Sequence, residues 1–173
     1  SGVVTISHEA AAAGTSITAT AKHGNSDASA PSTAVTLPAK ETQPGVPTVA
    51  RDEANARVTV TPSADADHVE ISIGSETVVA TKTGTTWTLS PAKAGVSING
   101  TSGVVTISHN AAAAGTSITA TAKHGNSDAS APSTAVTLPA KETQPGVPTV
   151  ARDEANARVT VTPSADADHV EIS

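Results

Sequence analysis

The chain has 173 residues and a formal charge of −6, with only 10 Lys and Arg; it has no Cys, Phe, Tyr or Met, and Trp87 is its single aromatic residue. So few cations exclude the clustered positive surface that nucleic acid or an anionic membrane requires, and the missing Cys excludes disulfides and thiolate chemistry. No apolar run approaches the ~18 residues of a membrane-spanning helix.

The chain repeats itself. Residues 1–72 return as residues 102–173, an offset of 102 − 1 = 101, and the copies differ only at Glu9 against Asn110. Residues 73–101 occur once. A period of 101 residues is that of a whole domain in tandem, not of a solenoid turn. The reading is therefore one complete repeat over 46–139, linkers at 39–45 and 140–146, and parts of the preceding and following repeats at 1–38 and 147–173. Both linkers lie in the run KETQPGVP, where Pro restricts the backbone and predicts an extended, semi-rigid connection.

Within the repeat the apolar residues are Val, Ile, Ala and Leu, which suit pleated sheets. They alternate with polar residues at Val58 and Val60, at Val69, Ile71 and Ile73, at Trp87 and Leu89, at Val105 and Ile107, at Ile118, Ala120 and Ala122, and at Val136 and Leu138. Thr77–Lys82, after a Gly74-Ser75 turn, and Thr48–Arg51 add two further strands. Period two with Gly, Pro, Asn or Asp between runs predicts seven or eight short antiparallel strands, an all-β sandwich. Asn110 followed by four alanines and Gly115 predicts one short helical turn. Trp87, flanked by Thr86 and Thr88, reads as a core residue.

Several stretches resemble bacterial immunoglobulin-like repeats. TSITATAKHGNSDASAPSTAVTL, residues 116–138, is similar to their last two strands; AGVSINGTSGVVTIS, residues 94–108, to the neighbouring element; and GVPTVARDEANARVTVTP to their first two strands. In that family, tandem copies form the stalks of wall-anchored surface proteins in Gram-positive bacteria. The resemblance implies an immunoglobulin-like fold, export to the cell wall and a spacer role, and carries over no catalytic residue. The wall-sorting motif and adhesive head of such proteins are not in this sequence. Related wall proteins also carry Lys–Asn isopeptide bonds, for which Lys82, Lys93 and Lys123 with Asn55, Asn99 or Asn126 are the raw material; one Trp per repeat gives a thin apolar shell for that chemistry.

Asp65 and Asp67, with His68 and the copies Asp166, Asp168 and His169, are the best metal candidate. Ca²⁺, however, takes six to eight oxygens, and only Asp52 and Glu53 stand to help. A solvated acidic turn is the simpler reading, and no cofactor is expected. Histidines 8, 23 and 68, with copies 109, 124 and 169, lack zinc spacing and read as exposed turn residues. There is no G-x-S-x-G elbow, and Gly125-Asn126-Ser127-Asp128 reads as a turn, so an enzyme is not expected. Asn99-Gly100-Thr101 matches a glycosylation pattern and also a tight turn.

These observations favour a stalk of linked repeats over a module binding a host protein or glycan, because such binding draws on aromatic residues and Arg. Homophilic adhesion between stalks stays open, because sandwich edges can pair. Residues 1–38 and 102–139 compete to complete the sandwich begun by 46–101. Seven linker residues reach only about 22 Å, too short for a repeat of roughly 35–45 Å, so 102–139 is the expected partner. The flanks are then expected to be disordered or paired with strands of another molecule.

Overall fold

The computed structural model describes residues 2–173. The strands in chain order are β1 (Ser16–Ile17), β2 (Val35–Thr36), β3 (Thr48–Asp52), β4 (Arg57–Thr61), β5 (His68–Ile73), β6 (Glu76–Thr83) and β7 (Thr86–Ser90). They continue with β8 (Val96–Ile98), β9 (Val105–Ser108), β10 (Ser117–Lys123), β11 (Val136–Thr137), β12 (Thr149–Asp153) and β13 (Arg158–Thr162). Strands β3 to β11 form two antiparallel sheets, one in the order β11-β10-β5-β6-β7 and the other in the order β3-β4-β9-β8.

The inner faces are those the alternation marked. Val58 and Val60 on β4 stand opposite Ile107 and Val105 on β9. In the facing sheet, Ile71 lies between Ala120 and Val78, and Val69 between Ala122 and Ala80. All of these are buried. Pairing a β-branched residue with alanine leaves room for the opposite sheet, so a core without Phe or Tyr still closes. Each fully buried Val or Ile contributes about 1.5–3 kcal/mol. Val105, Ile107 and Ile118 share this core with Trp87, and Leu89 packs against it. By contrast Val4, the sequence equivalent of Val105, is 85% exposed.

The sheets meet along both edges. On one side the Trp87 N–H donates to the Gly100 carbonyl (2.7 Å), joining β7 to the turn after β8. On the other, Arg51 on β3 donates from Nη1 to Thr137 Oγ1 on β11 (2.5 Å).

Three features differ from the sequence reading. The sandwich has nine strands; β8, only three residues long and bounded by Gly95 and Asn99-Gly100, carries too short an alternation to read. Residues 111–114 form no helical turn. Instead Ala111 N–H closes a turn on Ser108 O (2.9 Å) and Thr116 N–H another on Ala113 O (3.1 Å). Ala111 is drawn into the core against Gly95, where an added Cβ would stand 2.5 Å from Ala111 N. The flanks, finally, pair with themselves: β1 with β2, and β12 with β13 around a 3₁₀ turn at Glu154–Asn156. Most of their large apolar side chains lie open, Val3, Val35, Val147 and Val150 among them, while Leu37 is buried.

Candidate functional site

One group of polar interactions gathers at the end of the sandwich formed by the loop after β10. Lys123 ends the strand, and Gly125, at φ +48, turns the chain. Residues 127–133 then return beside β10 in an unusual way. Ser127, Ser130 and Ser133 are buried, while the two residues between each pair are exposed. Their hydroxyls accept from the N–H groups of His124 (3.0 Å), Ala122 (2.9 Å) and Ala120 (2.9 Å). Their own N–H groups donate back to the carbonyls of the same three residues, at 2.9, 2.8 and 2.8 Å. Three residues on one side thus oppose two on the other, a repeated bulge in which side-chain oxygens replace missing backbone carbonyls. The sequence reading gives Gly125–Asp128 as a turn and assigns 129–133 no element of their own. The signal was present as S-x-x-S-x-x-S, a period of three that neither a helix nor a strand template detects. The flank repeats it: Ser26, Ser29 and Ser32 accept from His23, Ala21 and Ala19.

Segment 39–45 lies against this loop. Lys40 Nζ pairs with Asp128 Oδ1 (2.6 Å). Glu41 N–H donates to Asn126 Oδ1 (2.8 Å), and Asn126 N–H donates back to Glu41 Oε2 (2.9 Å). Gln43 Nε2 donates to the Ala129 carbonyl. A side chain on Gly125 would overlap the Glu41 carboxylate. Lys40 holds the Asp128 carboxyl below its ordinary range, with small contributions from the charges of Lys123 and His8.

No family model, curated protein or solved structure matches the chain. Its chemistry is therefore read from its own geometry.

Asp65 and Asp67 border a shallow hollow with Lys82 and His124. Asp67 Oδ2 is already engaged, accepting from Gly125 N–H (2.9 Å) and lying 3.5 Å from His124 Nδ1. The Lys82 ammonium opposes a cation there. Asp52 and Glu53 do not join the pair. Asp52 accepts from Asn55 N–H and from Arg57 Nε (2.7 Å), and Glu53 pairs with Arg51. Among the described residues no three His, Asp or Glu side chains are grouped to share a metal ion.

Of the lysines that could join an asparagine, Lys82 and Lys93 are engaged elsewhere. Lys82 lies over the Trp87 ring at 6.0 Å, and Lys93 pairs with Glu76. Asn55 donates to Asp52 (2.9 Å), Asn126 accepts from Glu41, and Asn99 Oδ1 accepts from Thr101 and Ser102 N–H, both at 3.0 Å. The Asn99 side chain is thus occupied in building its turn.

Proposed function

We propose that this chain is part of a stalk of immunoglobulin-like sandwiches, whose role is mechanical: to hold another part of the protein at a distance from a bacterial cell wall. In this reading 46–139 is a complete repeat with linkers at 39–45 and 140–146. Residues 1–38 and 147–173 belong to the repeats on either side, and those repeats are its partners.

One observation carries the reading. The incoming segment 40–43 sits at the loop following Lys123, the C-terminal end of β10, whereas the chain leaves through Leu138, which is bonded to Gly115 and Thr116 at the N-terminal end of the same strand. Connections at opposite ends of a central strand stack repeats end to end. The sheet order supports the immunoglobulin-like part: β3-β4-β9-β8 corresponds to strands ABED, and β11-β10-β5-β6-β7 to GFCC′C″. Two features depart from antibody domains: there is no cysteine pair, and Trp87 lies on the C″-like edge rather than on strand C.

Small-angle scattering on proteins of two, four and six repeats tests the proposal. The maximum dimension should grow by a constant increment of about 35–45 Å per repeat. Particles whose dimension does not rise linearly overturn it. Saturable binding of a single repeat to a host protein or glycan would favour the interaction-module reading.

A further inference from the structure

We propose that residues 40–43 are a clasp that fastens each repeat's incoming segment to its own 125–129 loop, leaving the chain between Leu37 and Lys40 as the one loose joint between neighbours; this deepens the stalk reading and rests on it.

The chain contains its own comparison. Lys40–Pro47 and Lys141–Pro148 have the same sequence, KETQPGVP. The first is tied by Lys40–Asp128, by the reciprocal Glu41–Asn126 pair and by Gln43 to the Ala129 carbonyl, and its Pro44 and Pro47 are buried. In the second, every residue from Lys141 to Pro148 is exposed. The difference therefore comes from the surface that receives the segment, not from the rigidity of proline.

The receiving surface is specific in its chemistry. Asn126 presents a carbonyl to one backbone N–H and its own N–H to the carboxylate of the same residue, which fixes the register of the segment. Asp128 then selects a cation one residue earlier. Gly125 is needed because a side chain would fill the space of the Glu41 carboxylate.

The joint that remains is short. Leu37 is held through Gly14 N–H (2.8 Å) and Thr15 O (2.9 Å), and Lys40 is held by Asp128, so only Pro38 and Ala39 lie between two anchored points. Pro38 further narrows the backbone. A pull along such an array loads the clasp before it loads the sheets.

Timed tryptic digestion of the folded 173-residue chain, read by mass spectrometry, tests this. Cleavage after Lys40 should be at least about tenfold slower than after Lys141, because cutting requires local opening. The double variant Asn126→Ala/Asp128→Ala should bring the two rates together by raising the Lys40 rate alone, with the melt followed by Trp87 fluorescence little changed. Amide exchange in the parent gives an independent reading should the variant not fold: Glu41 N–H should exchange more slowly than Glu142 N–H. In about 1 M salt, where the Debye length falls to about 3 Å, the cleavage ratio should shrink. Equal cleavage rates in the parent, or equal exchange of the two amides, overturn the clasp. The stalk reading stands or falls separately, on the scattering series.

Discussion

Gly103 lies directly against the indole of Trp87: a Cβ at Gly103 would stand 2.5 Å from Cε2 and 2.7 Å from Cδ2 and Nε1. The glycine also takes φ +75, a conformation that side chains rarely adopt. The turn before β9 is thus shaped by the only aromatic ring, on the residue whose backbone N–H joins the edges of the two sheets. Trp87→Ala should cost about 3–5 kcal/mol. Gly103→Ala should cost at least about 1–3 kcal/mol by overpacking, whereas Gly100→Ala, whose nearest neighbour would be 3.8 Å away, should stay within about 1 kcal/mol. Urea denaturation of the three variants checks the order.

Ala56 occupies the left-handed region at φ +47, as does its equivalent Ala157 at φ +48. For a residue with a Cβ this conformation costs about 1–2 kcal/mol. The turn is imposed by Asp52, which binds both Asn55 and Arg57, and by Ala56 O accepting from His109 N–H (3.0 Å). Ala56→Gly should raise stability by about 1 kcal/mol, read as a higher melting temperature.

Loss of the Ser130 hydroxyl leaves the buried Ala122 N–H without its acceptor. Ser130→Ala should cost about 1–3 kcal/mol, and the Ala122 amide should lose protection against hydrogen exchange. Ser29→Ala, in the exposed flank, should leave the sandwich melt unchanged.

The Asp52 carboxyl is held below its ordinary value, first by the Asn55 side chain and then by Arg57. A depressed folded value means that the group stabilises the fold above the unfolded pKa, about 3.9, and that this contribution is lost as pH falls through the folded value. Carbon-detected NMR titration should place Asp52 and its equivalent Asp153, depressed by Asn156 and Arg158, below an unstructured aspartate. Asp52→Asn should flatten the acid limb of the stability profile.

Calcium should not raise the melting temperature. Asp67 is committed to Gly125 and faces His124, and Lys82 borders the same hollow. Melts in millimolar Ca²⁺ and in chelator should coincide; a rise in Ca²⁺ would show that Asp65 and Asp67 rearrange to bind it.

The inner faces of β4, β5, β9 and β10 were legible because a buried sheet face imposes a period of two, and Val58, Ile71, Ile107 and Ala120 keep it without interruption. Residues 111–114 misled because alanine favours a helix locally, while the actual path is set by burial of Ala111 against Gly95, a tertiary contact between residues distant in sequence. The site was legible only in part. Asp65, Asp67 and the lysines stand out by charge, yet beside Asp67 and Asp128 the groups that organise the loop include three serines and a neutral asparagine. The serines pair with β10 only 3 to 13 residues away and show as a period of three, whereas Asn126 pairs with Glu41 across 85 residues, which no local pattern reports.

The serine run beside β10 has a consequence for a protein built of near-identical copies. An exposed sheet edge offers donors and acceptors at the spacing any foreign strand can match, and repeats of one sequence are the most compatible strangers a chain can meet. Along 127–133 that edge is already covered by a segment that advances three residues for every two of β10, with Pro132 interrupting its row of N–H groups. An extended strand approaching from outside finds no matching lattice. Mutation of these serines should therefore be felt at high concentration as cross-linking of arrays into aggregates, even where the single sandwich still folds.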